Sequence, residues 1–188
     1  MGAELWNARY ANASHGEAAW VLHEYAHLLP QHGEALDLAC GLGANARFLA
    51  ARGLHTTAWD YSGVAIEQLQ SCAAAQNLHL LAEVHDVVAA PPAPKSFDVI
   101  VVSHFLAREL FPALLAALRP GGLLFYQTFT REKVATLDSP SNPDFVLAPN
   151  ELLHLCAPLR ILAYREDGLA GDLSLGMRAR AACVGQKR

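Results

Sequence analysis

The stretch Glu34-Ala35-Leu36-Asp37-Leu38-Ala39-Cys40-Gly41-Leu42-Gly43 reads as a short apolar strand running into a turn with two glycines. Gly41 and Gly43 can take backbone dihedrals that a side chain forbids, and both let the main chain approach a ligand closely. A helix follows, roughly Ala44 to Arg52, with its unpaired N–H groups directed at whatever lies above the turn. Strand, glycine turn and helix in that order form a nucleotide-holding element.

Two cofactors compete for such a turn. The dinucleotide fingerprint G-x-G-x-x-G tolerates alanine at its third position, and Ala46 stands there, so the glycines alone leave NAD open. Asp37, inside the end of the strand, separates the two. A carboxylate there repels a pyrophosphate and can accept from an ammonium group, which points to an amino-acid-bearing nucleotide such as S-adenosylmethionine. A second strand, His55 to Trp59, ends in Asp60, placed to accept from both ribose hydroxyls. NAD enzymes use the same device.

Further strands follow at Leu78 to His85, ending at Asp86-Val87, and at Phe97 to Ser103, a nearly continuous apolar run of the kind a strand buried on both faces requires. A helix over about Ala107 to Leu118 and the turn Arg119-Pro120-Gly121-Gly122 lead to a fifth strand, Leu123 to Thr128. The tail holds a helix from Asn150, its cap, to Cys156, then strand-like runs Leu159 to Arg165 and Leu175 to Val184. The expected fold is α/β: a Rossmann-like, doubly wound sheet of about seven strands. It is mostly parallel, with an antiparallel C-terminal hairpin and helices on both faces. One domain, 1–188, is expected, with no residues left over for the substrate domain of an NAD dehydrogenase.

Asp37-x-Ala39-x-Gly41-x-Gly43 resembles motif I of the class I S-adenosylmethionine-dependent methyltransferases, with Ala39 where many members carry glycine. Leu118-Arg119-Pro120-Gly121-Gly122-Leu123-Leu124 is a second resemblance. Nearly the whole chain is similar to small bacterial methyltransferases of the tellurite-resistance and thiopurine-methyltransferase-like group. The likeness is carried by Trp6 to Tyr10, Ala35 to Gly53, Phe97 to Phe129, Asn142 to Phe145 with Glu151, and Tyr164 to Glu166. It implies S-adenosylmethionine as cofactor, leaving as S-adenosylhomocysteine. It also implies contacts from Arg9, Tyr10, Asp37, Ala39, Cys40, Gly41, Gly43, Asn45, Asp60, Tyr61, Asp86, Val87 and Ser103, with Asp86 at the adenine and residues 1–12 as a helix covering the pocket.

The sulfonium is an activated leaving group, so the protein has mainly to align acceptor, methyl carbon and sulfur and to exclude water. For an acceptor that needs a base, His104 just past strand four is the first candidate and His85 the second. Arg108, four residues on from His104, is positioned to orient an anionic acceptor. Tellurite-group relatives place a histidine and an arginine near the terminal hairpin. Here 167–180 has no histidine, while Arg178 and Arg180 are read on one face of the last strand. Gln127 stands at the end of strand five, where relatives often carry glutamate.

Composition narrows the partners. Net charge is −4 with scattered cationic residues, giving no electrostatic footprint for nucleic acid. No run of eighteen or more apolar residues occurs and the N-terminus lacks a signal-peptide layout, so a soluble cytoplasmic protein without membrane partners is expected. A small-molecule acceptor, a thiol or chalcogen oxyanion, fits best. The four cysteines are widely spaced and form no C-x-x-C pair, which indicates neither disulfide framework nor zinc knuckle. His23-Glu24-Tyr25-Ala26-His27 matches H-E-x-x-H on an expected helix, Glu17 to Leu29. Pro30 stands where the extended zinc motif has glycine, and no metal is expected. Ala89 to Lys95 is a proline-stiffened connector. The segment of about 130–149 follows strand five at the ligand-binding edge and is expected to contact substrate. Two further readings of the chain are a non-catalytic adenosyl-nucleotide binding module and an NAD-dependent oxidoreductase.

Overall fold

A computed structural model describes residues 2–134 and 139–188. Seven strands form one sheet: β1 Glu34–Leu38, β2 His55–Asp60, β3 Leu80–Val84, β4 Phe97–Ser103, β5 Leu118–Phe129, β6 Arg160–Arg165 and β7 Arg180–Gln186. Their spatial order is β3-β2-β1-β4-β5-β7-β6. The first five pair in parallel, and β7 runs antiparallel between β5 and β6. The expected mostly parallel sheet with its antiparallel tail is therefore the fold observed.

Alternation along the central strands divides the core. Ile100 and Val102 of β4 face one cluster, with Phe111 and Leu114 of α5 (Phe111–Ala117) and Leu152 of α6 (Glu151–Leu155). Val99 and Val101 face the other, with Val21 and Leu22 of α2 (Trp20–Glu24) and Leu49 of α3 (Ala44–Ala50). Strands buried on both faces must be apolar throughout, which is why β4 is so plain in the sequence. Helix α4, Gly63–Ala75, packs Ile66 and Leu69 on the α3 side against Cys40, Ala58 and Ala82. Helix α1, Ala3–Tyr10, buries no residue fully.

Several expectations are corrected. The helix read over Glu17 to Leu29 shrinks to α2 plus one 3₁₀ turn, Ala26–Leu28. Ala19 is extended because its N–H is taken by Asn45 Oδ1 at 2.8 Å, and Pro30 drives Leu29 extended. His23 and His27 thus lie on no common α-helix, and His23 instead packs edge-on against Phe48. No cluster of metal-ligating side chains occurs among the described residues. Helix α5 begins at Phe111, after a 3₁₀ turn at Arg108–Leu110, with Pro112 in its first turn. Helix α4 was not anticipated at all. Strand β5 starts early because Leu118 pairs with Phe97 while Leu123 pairs with Val99, so residues 119–122 bulge from a continuous strand.

Asn150 does not cap α6 with its side chain. It sits in the left-handed region at φ 62° and its N–H donates to Glu166 Oε2. Arg178 lies before β7, not on it, and its guanidinium donates to the carbonyls of Asp167, Gly168, Asp172 and Leu175. It braces the β6–β7 loop and shares no strand face with Arg180. Within the segment expected to contact substrate, Thr130 bridges Leu147 and a 3₁₀ turn spans Pro143–Phe145, while 135–138 lie outside the described residues. No helix among the described residues is long and apolar enough to cross a membrane.

Candidate functional site

The turn after β1 is left-handed at three positions: Ala39 at φ 56°, Gly41 at 52° and Gly43 at 71°. Glycine is required at Gly43 for space as well, since a Cβ there would stand 2.3 Å from Leu69 Cδ1. At Gly41 a Cβ would meet Tyr10 Oη at 2.8 Å, which puts the phenol of α1 directly on the turn. Ala39 holds the same backbone region at a steric cost.

Two acids fasten this turn. Asp60 Oδ2 accepts from Gly41 N at 2.7 Å and its Oδ1 from Ser62 N at 2.8 Å. Burial raises the Asp60 pKa, against the lowering effect of those amides. Asp37 is put to a different use from the expected one. It is fully buried, with Oδ2 accepting from Ala46 N at 2.9 Å and Oδ1 from Asn45 Nδ2 at 3.3 Å. Burial pushes its carboxyl up to about 7, the two hydrogen bonds opposing and nearby Asp60 assisting. An internal carboxyl group thus occupies the N-terminus of α3. That is where a dinucleotide would need to lay its pyrophosphate.

Asn45 is the junction of the site. Its Nδ2 also donates to Ser103 Oγ at 2.9 Å, so one amide ties Asp37 on β1, Ser103 on β4 and the backbone of Ala19. Gln127 makes a comparable link on β5, its Oε1 accepting from Val21 N at 3.1 Å. Sequence reasoning missed this second strap, and an amide in an otherwise apolar strand was its only signal.

Just past β4, His104 takes a left-handed conformation, φ 56°, its N–H donating to Gln127 O at 2.9 Å. Its ring lies 5.1 Å from that of Phe129, and the Arg180 guanidinium is 5.7 Å from the same phenyl ring. The imidazole is exposed to solvent along one side, yet crowding protein mass, then Arg180 and Arg9, lower its pKa to about 4. Arg9 itself lies over the Trp6 ring, which stacks on Tyr10. Burial, then Asp60, raises the Tyr10 hydroxyl well above its ordinary value.

Arg108 is corrected. Its Nε and Nη2 grip both oxygens of Glu151 at 2.5 and 3.0 Å, and Nη1 and Nη2 donate to the carbonyls of Asp144 and Val146. It braces 144–151 and is not free to orient an acceptor. Asp86 is exposed, with Oδ1 accepting from Val88 N and Ala89 N of its own loop, while Val87 is buried and Tyr61 exposed. His85 follows β3, the edge strand, stacks on Trp59 at 4.0 Å and contacts Ala90 O, whereas His104 follows β4, two strands further in than β2. Cys40 is buried, its thiol held well above the usual range by burial and by Asp37 and Asp60, so it is no nucleophile. A separate cleft of about 400 Å³, lined by Glu132, Asn150, Glu166 and Leu169 among others, shares no residue with the turn.

Residues 35–122 match the family profile described as a methyltransferase domain. Over 139 residues the chain is 28% identical to a probable S-adenosyl-L-methionine-dependent methyltransferase, TehB, of Haemophilus influenzae, covering 71% of this chain and 48% of that protein. It is 32% identical over 145 residues to hemagglutinin 1 of Eikenella corrodens, covering 71% and 46%. The chain therefore spans about half the length of the curated relatives it matches. The crystal structure of TehB from Haemophilus influenzae superposes with a TM-score of 0.71 at 25% identity, over 98% of this chain and 66% of that one. The residues present suit the cofactor of those relatives: Asp60 keeps lone pairs for a diol, Tyr10 lies over Gly41 as a cover, and Asp37 takes the α3 N-terminus that a pyrophosphate would need. In sheet order, glycine turn and sequence likeness alike, the chain is similar to the S-adenosylmethionine-dependent methyltransferases, and residues 35–122 are the part that matches the methyltransferase domain profile.

Proposed function

We propose that the chain catalyses in-line transfer of the S-adenosylmethionine methyl group to a small-molecule acceptor, a thiol or chalcogen oxyanion. The bound cofactor supplies an electrophilic methyl on an activated sulfonium. Asp60, oriented by Gly41 N and Ser62 N, is directed to the ribose hydroxyls, with Asp86 and Val87 at the adenine end. Tyr10 and Arg9 close the methionine end, Arg9 toward its carboxylate. The observation that carries the reading is the 2.7 Å bond joining Gly41 to Asp60, which makes turn and acid one rigid receptor.

The charges support that acceptor class. Arg180 and Arg9 bias the space around His104 toward an anion, and an imidazole lowered to about 4 stays neutral at pH 7. Neutral His104 can donate to or accept from an acceptor that arrives already ionised, and as a base it is weak. The free cysteines among the described residues fit a reducing compartment such as the cytoplasm.

Calorimetric titration with S-adenosylhomocysteine, with NADH and Asp60→Ala as controls, tests the cofactor site. Saturable binding lost in Asp60→Ala is expected, and binding of NADH alone would overturn the reading. Turnover is then measured on thiols, selenite and tellurite. Binding without turnover on any acceptor would favour a non-catalytic adenosyl-nucleotide module instead.

A further inference from the structure

Helix α1 covers the glycine turn, yet little apolar burial holds it there. None of its side chains is fully buried, and Leu5 is 54% exposed. Its attachments are polar and local to α4. Asn7 Oδ1 accepts from Ser62 Oγ at 2.6 Å and from Val64 N at 3.4 Å, and Gln68 Nε2 donates to Tyr10 O at 3.1 Å. Ser62 is fully buried and serves three contacts: its hydroxyl caps Ala65 N and donates to Asn7, while its N–H donates to Asp60 Oδ1.

We propose that Asn7 is a positioning residue for the cofactor, latching α1 onto the N-terminus of α4 so that Tyr10 is held over Gly41. The inference rests on the cofactor reading given above. Its basis is that Ser62 belongs at once to the acid that faces the ribose and to the clamp on the covering helix. An occupant that orders the Asp60–Ser62 corner steadies the groups that grip Asn7, and a closed α1 in turn slows departure of the occupant. Asn7 touches no reacting atom and acts through Tyr10. The two bonds place an acceptor oxygen at the positive end of a thirteen-residue helix, where an accepting oxygen is most favoured.

The test uses the full chain and the variants Asn7→Ala, which removes the acceptor, and Asn7→Asp, which keeps it. Amide hydrogen exchange without ligand reads the latch alone. In Asn7→Ala the amides of residues 5–11 should exchange about tenfold faster while those of the sheet do not change. Equal exchange at 5–11 would overturn the latch. Titration and stopped-flow displacement with S-adenosylhomocysteine read its consequence. Asn7→Ala should raise Kd about tenfold through faster dissociation, and Asn7→Asp should restore most of it. Faster exchange with unchanged Kd and dissociation rate would overturn the positioning role. A wild-type chain that does not bind S-adenosylhomocysteine would overturn the cofactor reading and the positioning role with it, leaving the exchange result to stand for the helix contact.

Discussion

Gly41 donates its N–H to Asp60 Oδ2 across 2.7 Å, so the turn after β1 and the acid at the end of β2 are a single unit. An amide at position 60 would turn a donor toward one of two backbone N–H groups that need acceptors. Asp60→Asn should lower folding stability by about 1–2 kcal/mol and weaken S-adenosylhomocysteine binding at least about tenfold. Urea denaturation and calorimetry on the same preparation measure both, and a variant that binds normally would remove Asp60 from the site.

Gly43→Ala meets two penalties together, a left-handed φ of 71° and a Cβ 2.3 Å from the buried Leu69 side chain. A loss of about 2–4 kcal/mol is expected. Leu69→Ala opens the space, so the double variant should cost less than the sum of the singles, as read from denaturation midpoints.

Ala39 holds φ 56° without being glycine. Ala39→Gly relieves the clash of Cβ with the backbone and should raise the urea midpoint, by up to about 1 kcal/mol after the greater freedom of glycine in the unfolded chain is subtracted. A lower midpoint would mean that the Ala39 methyl packs more than it strains.

Two groups give opposite pH slopes. Asp37, raised to about 7 from 3.8, binds a proton more readily folded than unfolded, so its contribution is full below about pH 4 and is lost as pH rises toward 7. His104, lowered to about 4 from 6.5, makes stability fall as pH drops from about 6.5 to 4. Asp37→Asn should therefore flatten the decline of stability from pH 4 to 7, and His104→Gln should flatten the loss below pH 6.5. Melting temperatures across pH 4–8 resolve the two, and a His104→Gln profile identical to wild type would contradict the lowered imidazole.

Arg108 and Glu151 form a two-pronged pair between the 3₁₀ turn before α5 and the start of α6. Arg108→Ala should cost about 1–2 kcal/mol of stability and leave S-adenosylhomocysteine affinity within about twofold of wild type. A large rise in the KM for the methyl acceptor would return Arg108 to orienting it.

What could be read from the chain alone was whatever is written locally. Phe97 to Ser103 matched β4 because a strand buried on both faces must be apolar along its length, and Gly41 with Gly43 announced a left-handed turn that glycine takes without steric cost. Partners distant in sequence were invisible. Arg108 looked free because Glu151 lies 43 residues away, and Asn7 was passed over because its partner, Ser62, lies 55 residues on. The periodicity of 17–29 was overruled by one remote hydrogen bond at Ala19 and by Pro30. Asp37 drew notice as a charge, whereas full burial turned it into an internal fastener.

The placement of β7 between β5 and β6 has a consequence for synthesis. Arg180 to Gln186 is the last of the seven strands to leave the ribosome, yet it is interior to the sheet. Until it arrives, β5 presents a bare edge, β6 has no partner in the sheet, and Tyr126 and Leu124 are paired on the β4 side alone. The nascent chain is therefore most open to mispairing just before residues 180–186 emerge, and silent slowing of translation ahead of them would lengthen that exposure.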